Sequence, residues 1–509
     1  MDSGKNIIAV PDDPDASDHL EQQLSDSLQM SLDFIRTQCG SMTLLEFERA
    51  SWPLVMRFGQ LLIALFLAHR RERLEIVTEP GERVKDWFAP RQLKTQCGPV
   101  SYGRAYLLRA RRGWFPLDAS LGITSEQFSW RVTELVTRLA TRLSYDAVRE
   151  LTTSLIGWSP SASAVERLVL GLGSRVSEFM QTQHQLPEDG DVLIIEIDGK
   201  AVPFATEQEL QARRQKRQPR QCACGCRRHT RSQQRQENGP KQRKTRGHNS
   251  KNGRSATLAA MYTLKRGADG KLHGPIQKKI WGRFGPRQEM MQWVRDQATR
   301  RGFGPDSGKL VQILMDGERC LRKHLQQLFP QAIFTLDLRH AQEHLWKAGR
   351  QFHKDGSLEL AAWVKPLNDL LTGGKIKTLL KRLQKCWESI PRHGPQTKLK
   401  RDTLTEQIRY FTERQEMMRY GDYRHQDLVL ATGVIEGACR HILGDRLDCS
   451  GMRWTPTGAQ AILQLRCLDF NGDWTAFINW VANECSTQLK LGVLTKIRKP
   501  PQKLNSHAA

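Results

Sequence analysis

The chain has 509 residues, of which 39% are hydrophobic, so it can bury a sizeable core spread over roughly two to four structural units and is too apolar to be disordered throughout. Its 78 Lys and Arg against 54 Asp and Glu give a formal net charge of +24, which favours a polyanionic partner such as nucleic acid, although ribosomal and membrane-surface proteins share this balance. The longest apolar run, residues 61–68, is far shorter than the roughly 20 residues of a spanning helix, and the 11 cysteines are odd in number, so we expect a cytoplasmic protein with free thiols and no membrane partner.

The N-terminal part of the chain changes character near residue 30. Residues 1–30 are rich in aspartate and show little apolar periodicity, which predicts a disordered acidic lead-in. Residues 31–186 carry apolar residues three and four positions apart, which predicts a mainly helical region. Short strands are compatible with its middle, residues 81–117, which is broken by Gly and Pro.

A helix-turn-helix candidate lies at residues 144–178 within this region. Gly157 is expected to end the first helix, and Ser159 or Ser161 to cap the second. Two interpretations stay open. One is a helix pair that reads DNA, which would make residues 31–186 a DNA-binding region, and the other is an ordinary helical hairpin.

A mixed α/β pattern begins at residue 187. The run from Val192 to Asp198 is nearly all apolar, which is typical of a buried central strand. Three early strands followed by alternating strands and helices predict a sheet with parallel members, and residues 354–425 form a helical insertion in it. The predicted strands are residues 192–198, 255–265, 276–282, 310–316 and 332–337, and the predicted helices are residues 287–301, 318–329, 341–352 and 428–442.

Asp198 and Asp316 each end a predicted strand and precede a glycine. Carboxylates at the carboxyl ends of neighbouring parallel strands project into the crevice where such sheets bind ligands, and a cation relieves their mutual repulsion. Oxygen ligands suit Mg²⁺ or Mn²⁺, and a pair of such ions can activate the attacking oxygen and stabilise the leaving oxygen of a phosphodiester displacement. For a single Asp-Gly pair a capped turn is the commoner explanation, so both interpretations stay open.

A third acid, Glu436, stands near the start of a largely apolar helical stretch that would pack against these strands. It is the candidate third ligand. The alternative is an ion pair between Glu436 and Arg440, four residues further on, which would stabilise the helix by only a few tenths of a kcal/mol. Taken alone, the residues favour the ion pair.

A basic insert at residues 207–254 follows the first predicted strand. From Arg213 to Arg254 it holds 15 Lys or Arg and one acid, Glu237, a net charge of +14. Because it lacks large apolar residues, it cannot form a core of its own, and it predicts either a salt-sensitive DNA anchor or a solvated loop. The cations assigned to DNA binding are Arg213, Arg214, Lys216, Arg217, Arg220, Arg227, Arg228, Arg243, Lys244 and Arg246.

Three cysteines and a histidine lie within eight residues of this insert, at Cys222, Cys224, Cys226 and His229. Thiolate and imidazole ligands suit tetrahedral Zn²⁺. The Cys-x-Cys spacing is tighter than the usual Cys-x2-Cys, so a ligand from elsewhere in the chain is an alternative to a site made of all four. Whether the cluster binds zinc stays open.

Four strings of residues carry a family resemblance: Asp337-Leu-Arg-His340, Glu436-Gly-Ala-Cys-Arg, Gly451-Met-Arg-Trp454 and Gly458-Ala-Gln-Ala-Ile-Leu463. In these strings the chain resembles the ISKra-type family of bacterial insertion-sequence transposases, which is related to the Mutator elements. The resemblance implies a DDE transposase with an RNase H-like catalytic core, in which Asp198, Asp316 and Glu436 bind the metal ions. It also implies that Asp337 and His340 help to position the site or the DNA, with support from Arg453 and Trp454.

Asp337 also ends an apolar strand, so it is the alternative second acid. We prefer Asp316, because the Asp-x-x-His motif of related transposases usually follows the metal-binding Asp, and because Asp316 has the matching glycine. For His340 the alternative is a structural histidine that caps its helix.

Together these features predict a transposase that binds terminal inverted repeats, cleaves at the element ends and joins the 3′ hydroxyl to target DNA. Synapsis of two ends suggests a homodimer or larger assembly, associated with the nucleoid in a bacterial cytoplasm. The alternatives are a DNA nuclease on the same fold without strand transfer, and a non-catalytic DNA-binding relic. The predicted boundaries are residues 1–30 for the lead-in, 31–186 for the DNA-binding region, 187–353 and 426–485 for the two parts of the core, 354–425 for the insertion and 486–509 for a basic tail.

Overall fold

The computed structural model describes residues 7–109, 112–124, 126–182, 189–217, 253–449 and 452–490. The chain divides into two units, and each is described by itself. Unit 1 consists of Met1–Thr182 and Gly472–Ala509, and unit 2 consists of Gln183–Asn471.

Unit 1 begins with a helical hairpin and a small sheet. The elements in chain order are β1 (Ile8–Ala9), α1 (Ala16–Gln38), α2 (Leu44–Glu72), β2 (Glu82–Thr95), β3 (Gly98–Arg109) and β4 (Arg112–Trp114). In the sheet β3 lies between β1 and β2, and β4 also pairs with β3. Leu20, Leu61 and Val100 belong to one buried cluster, so both helices and the sheet share a core.

The expectation of a disordered lead-in is wrong for the described part of residues 1–30, because α1 begins at Ala16. Ala16 and Leu20 are fully buried four residues apart, and the neighbouring acids Asp18 and Glu21 are exposed. The acids therefore occupy the solvent face of an amphipathic helix. Their density in the sequence concealed a short but regular apolar pattern.

Helix α2 is, among the described residues, the one helix long and apolar enough to cross a membrane by length and composition alone. The longest uninterrupted apolar run, residues 61–68, did not reveal the length of this apolar helix, because single polar residues interrupt its sequence elsewhere. Leu44 and Phe66 are exposed, whereas Leu61 and Ala64 are buried in the core of unit 1. A core helix of a soluble protein can have the same length and composition, so this feature by itself does not assign the chain to a membrane.

Four further helices complete the N-terminal part of unit 1: α3 (Pro116–Ser120), α4 (Trp130–Ala140), α5 (Tyr145–Ile156) and α6 (Ala162–Thr182). The predicted helix pair is confirmed as α5 and α6. Gly157 ends α5 with a φ of 78°, and the Ser161 hydroxyl accepts a hydrogen bond from the Ala164 N–H at 3.3 Å. These contacts establish two capped helices and leave their role in DNA reading a prediction.

Unit 2 is built on a mixed sheet of five strands: β5 (Val192–Pro203), β6 (Gly253–Arg266), β7 (Leu272–Phe284), β8 (Leu310–Met315) and β9 (Ile333–Leu336). Their spatial order is β7-β6-β5-β8-β9. The strands β5, β6 and β7 form an antiparallel series, whereas β8 is parallel to both β5 and β9. The predicted sheet with parallel members is thereby confirmed.

Helices surround this sheet and form the predicted insertion. Beside the sheet lie α7 (Glu207–Arg217), α8 (Arg287–Arg300), α9 (Arg319–Leu328) and α10 (Leu338–Gly349). The insertion consists of α11 (Leu358–Thr372), α12 (Ile376–Glu388), α13 (Thr397–Arg414) and α14 (Tyr420–His425), and its residues 354–425, all of them described, contain no strand.

The chain then returns to the sheet through α15 (Gly433–Ala438), a π-helix (Cys439–Gly444), α16 (Asp445–Leu447) and α17 (Pro456–Phe470). The last described helix, α18 (Trp474–Lys490), belongs to unit 1, which corrects the predicted core boundary at residue 485. The reason is packing: Phe477 is fully buried, and its ring lies 5.4 Å from that of Phe179 on α6.

Candidate active site

Asp198 and Asp316 lie near the place where the parallel pairing of β5 and β8 ends. Strands β5 and β8 are parallel neighbours, and Glu196 on β5 pairs with Leu314 on β8. The parallel pairing ends at these two residues; Asp198 follows two positions later within β5, and Asp316 directly follows β8. Strand β5 continues to Pro203 because it stays paired with β6, so the predicted strand end at Asp198 is wrong. Asp198 is half-buried and Asp316 is exposed, so the two carboxylates differ in their access to solvent.

The two carboxylates repel each other. Burial is the main cause that raises the pKa of Asp198, and the charge of Asp316 adds to the rise. Hydrogen bonds from the Gly199 N–H, at 2.7 Å, and from the Cys439 thiol oppose the rise in pKa, as does His340. A cation bound between the two acids would remove this repulsion, because it favours both ionised forms.

Glu436 lies on α15, about one helical turn before Cys439, whose thiol donates a hydrogen bond to Asp198. Because Cys439 follows Glu436 by three residues, both side chains stand on one side of the helix. The Glu436 carboxylate accepts a hydrogen bond at 2.5 Å from Arg339 on α10, and the two side chains are 60% and 61% exposed. An ion pair this exposed contributes at most about 1 kcal/mol, so little energy holds Glu436 against Arg339.

Two buried carboxylates fix the beginning of α15. Glu196 is fully buried and accepts hydrogen bonds from the Tyr262 hydroxyl at 2.7 Å and from the Ile435 N–H at 2.8 Å. Burial raises the pKa of Glu196, an effect that these hydrogen bonds oppose. The second acid, Asp337, accepts a hydrogen bond from the hydroxyl of Thr432, the residue that precedes α15. The position of Glu436 therefore depends on acids that do not themselves face solvent.

Asp337 differs from Asp316 in the use of its oxygens. One oxygen accepts from Thr432 and the other accepts from the Arg339 N–H at 2.9 Å, which caps α10. The residue is 2% exposed. Asp316 is exposed, and the one hydrogen bond described for its carboxylate comes from the Glu318 N–H at 3.0 Å. Of the two acids, Asp316 is thus the one open to a ligand.

Helix α13 of the insertion holds the turn that carries Asp316. Arg414 donates to the Gly317 carbonyl at 3.0 Å, and the Tyr410 hydroxyl lies 3.4 Å from the Asp316 carbonyl. The Arg414 guanidinium also lies 4.1 Å from the centre of the Tyr410 ring, whose other neighbour is the stacked ring of His344 on α10, 3.5 Å away. The insertion therefore packs directly on the candidate site.

The other residues of the predicted site fall into two groups. His340, on the first turn of α10, lies 4.0 Å from Asp337 and close enough to Asp198 to affect its pKa. Trp454 is buried beyond the end of β5, where its backbone N–H and carbonyl bond to Pro203 and Ala205 and its indole N–H donates to the Leu447 carbonyl. Arg453, beside it, donates to the Met452 carbonyl. His340 thus lies at the site, whereas Trp454 stabilises the carboxyl end of β5.

Much of the basic insert lies outside the described residues. At its beginning the described part is helix α7, whose backbone includes Arg213, Arg214, Lys216 and Arg217, and at its end Gly253 and Arg254 begin β6. The remaining predicted DNA-binding and zinc-binding residues lie outside the described residues: Arg220, Cys222, Cys224, Cys226, Arg227, Arg228, His229, Arg243, Lys244 and Arg246.

The donor set partly fits the divalent ions that the sequence predicts. Asp198 and Asp316 offer carboxylate oxygens, which Mg²⁺ and Mn²⁺ prefer. Within the described part of the chain, however, no group of three or more His, Cys, Asp or Glu side chains is arranged to hold a metal. Glu436 would have to leave Arg339 to join the two aspartates.

Several residues of this region were not identified from the sequence. Arg339, Thr432, Tyr410 and Arg414 act through contacts with residues more than 90 positions away. Glu196 is the one further residue of this region that the sequence could indicate, because it is an acid inside an apolar run, two residues before Asp198. A scan against protein-family models and a search of curated proteins find no match to the chain.

Proposed function

We propose that the chain is a metal-dependent DNA transposase with an RNase H-like core in unit 2, whose catalytic acids are Asp198, Asp316 and Glu436. The observation that carries the proposal is that Asp198 and Asp316 lie just beyond the point where the parallel pairing of β5 and β8 ends, close enough for the charge of Asp316 to raise the pKa of Asp198. The carboxyl end of a parallel pair is where open α/β sheets bind ligands. Two carboxylates that repel each other at such a place would be stabilised by cations bound to both.

Each acid has a distinct part in this proposal. Asp198, half-buried, and Asp316, exposed, would each hold a divalent ion through carboxylate oxygens. Glu436, which is paired with Arg339, would be the third ligand once that ion pair opens. When bound, Mg²⁺ or Mn²⁺ supplies activation of the attacking oxygen and stabilisation of the leaving oxygen in phosphodiester displacement.

Asp337 has a positioning part. Its two oxygens hold the beginnings of α10 and α15, which carry Arg339 and Glu436. It therefore acts on the site through the helices, which agrees with the supporting part that the family resemblance gives it. The charge of His340 favours the ionised form of Asp198, so this side chain supports metal binding from the rim.

DNA as the substrate is supported by charge. The chain carries a formal net charge of +24, and residues 213–254 hold over half of it. Counterion release from DNA favours binding to such a surface without regard to sequence. The capped helices α5 and α6 are the proposed readers of the terminal repeats, in an assembly of at least two chains that holds both ends.

The test is cleavage and joining by the full chain in Mg²⁺. The substrate is a duplex that carries the inverted repeats flanking the coding region, and the target is a supercoiled plasmid. We expect Asp198→Asn, Asp316→Asn and Glu436→Gln each to lower the rate of cleavage by at least about a hundredfold, since removing residues that merely support metal ligands already costs 10- to 100-fold.

The matched control is Asp306→Asn, which changes an exposed acid of the same unit. It should leave cleavage unchanged. Cleavage that persists in all three variants would overturn the assignment of the acids. Cleavage without joining would identify a nuclease, and absence of cleavage by the parent chain with retained DNA binding would identify a non-catalytic relic.

A further inference from the structure

Helix α12 of the insertion presents a basic face to solvent. Lys377, Lys381 and Lys385 follow one another at intervals of four residues, so they form a stripe along one side of the helix. Arg382 lies beside this stripe, and all four side chains are exposed. We call these four residues the α12 stripe.

The opposite face of α12 anchors the helix in unit 2. Ile376, Leu379 and Leu383 are buried there, at the three- and four-residue spacing of an amphipathic helix. The helix packs between α11 and α13, and α13 is the helix that contacts the turn of Asp316. The α12 stripe is therefore held on a rigid support that continues to the candidate site.

The cations of the stripe are not neutralised by the rest of the described chain. Within the described ranges, none of the four lies within 4.0 Å of a carboxylate as an ion pair. The one acid of the helix, Glu388, is at its last residue and accepts a hydrogen bond from Gln384 at 3.2 Å. Other exposed cations of unit 2 do pair, such as Arg350 with Asp355.

We infer that the α12 stripe binds the phosphate backbone of DNA. With a rise of about 1.5 Å per residue, Lys377 and Lys385 stand about 12 Å apart along the helix. Phosphates of one strand recur every ~3.4 Å along the duplex axis, so the stripe covers about three or four of them. This inference rests on the proposed function, which supplies DNA as the substrate. It assigns part of the binding to the insertion, in addition to the basic insert at residues 207–254.

The test is the salt dependence of binding to a non-specific duplex, measured by fluorescence anisotropy with the full chain and without metal. In the variant K377Q/K381Q/R382Q/K385Q, we expect the slope of log affinity against log salt concentration to become less steep by about 0.9 for each lost phosphate contact, up to about 3.6. Affinity near 0.1 M salt should fall at least about tenfold. Because the four side chains are exposed, the variant should retain the circular dichroism and melting behaviour of the parent.

Two controls separate position from charge. A charge-retaining variant with the three lysines changed to arginine and Arg382→Lys should keep the slope. A scattered variant removes the same charge from exposed lysines elsewhere in unit 2 and should change the slope less; its positions are Lys265, Lys271, Lys354 and Lys365.

An unchanged slope in the stripe variant would overturn the inference, as would an equal change in the scattered variant. Binding of the parent to anionic phospholipid vesicles through the stripe, with no effect on DNA, would identify a membrane surface instead and overturn it as well. Absence of cleavage by a parent that binds DNA through the stripe would overturn the proposed catalysis alone.

Discussion

The ends of the neighbouring strands β8 and β9 contain the same chemical group in two different states. Each strand is mostly apolar, the two strands are parallel to each other, and each is followed directly by an aspartate. Asp316 after β8 is exposed, whereas Asp337 after β9 is 2% exposed and bonded through both oxygens. The strand pattern alone therefore does not decide whether an acid is available to a ligand.

The residues after each aspartate make the difference. Gly317 takes a φ of 81°, so the chain makes a left-handed turn directly after Asp316, and the Asp316 side chain is exposed to solvent. After Asp337 the chain enters α10 at once, so the carboxylate becomes the cap of that helix. A glycine in a left-handed turn and a helix start thus place equivalent acids in open and closed environments.

The largest expected effect separates the two acids by stability and cleavage. Asp337→Ala removes acceptors from Thr432 and from the Arg339 N–H, both at buried or partly buried positions. We expect unit 2 to lose about 2–4 kcal/mol of unfolding free energy, since each orphaned partner costs about 1–3 kcal/mol. Asp316→Ala, at an exposed position, should lose less than about 1 kcal/mol.

Urea unfolding followed by tryptophan fluorescence measures this difference, and cleavage provides the second readout. The shape-retaining Asp337→Asn should slow cleavage less than Asp316→Asn does, because only the latter removes a proposed metal ligand. The reverse order of cleavage would make Asp337 the second catalytic acid.

A smaller effect is expected from the turn itself. In Gly317→Ala, the new Cβ would lie 2.5 Å from the Arg414 Nε on a backbone with φ 81°. We expect a loss of about 1–2 kcal/mol from the left-handed conformation, a further loss from the displacement of Arg414, and slower cleavage as Asp316 moves.

Gly270→Ala is the matched control for this turn. Gly270 has a φ of 76°, but a Cβ there meets nothing within 4 Å. It should show the conformational loss alone and retain cleavage. Equal losses in the two variants would show that α13 does not hold the turn of Asp316.

The smallest effect concerns the pKa of Asp198. Burial raises it most, and the charge of Asp316 adds to it, so Asp316→Asn should lower the pKa of Asp198 without returning it to that of an exposed aspartate. A carbon-13 NMR titration of the Asp198 carboxyl measures the change. A rise, or no change, would mean that the two carboxylates do not interact.

The sequence was sufficient for the parts that depend on local pattern. The start of strand β5, the presence of parallel strands in the sheet and the helix end at Gly157 were predicted from apolar runs and glycine, whereas the end of β5 was predicted five residues too early. It was insufficient where distant residues meet. Glu436 was expected to pair with Arg440 if it was not a metal ligand, yet it pairs with Arg339, 97 residues away in the chain. An i,i+4 rule cannot anticipate a partner supplied by another helix.

The same limit applies to the clamp on Asp316. Tyr410 and Arg414 lie 94 and 97 residues from the groups that they contact, and in the sequence they are ordinary members of an amphipathic helix. The acidic composition of residues 1–30 led to the opposite error, because it outweighed the apolar spacing of Ala16, Leu20 and the partly buried Leu24.

Because helix α18 belongs to unit 1 but follows unit 2 in the chain, the ribosome finishes unit 2 before it finishes unit 1. The Ser486 hydroxyl of this helix donates to the Ala119 carbonyl at 3.1 Å, but all of unit 2 is translated between them. At about 5–20 residues per second, the ribosome needs tens of seconds to cover that interval. Unit 2 can fold during this time, whereas the first part of unit 1 waits with the surface that receives Phe477 uncovered. During translation, the inserted unit is thus the first that can be completed, and the unit that encloses it in the chain is the one that needs protection from aggregation.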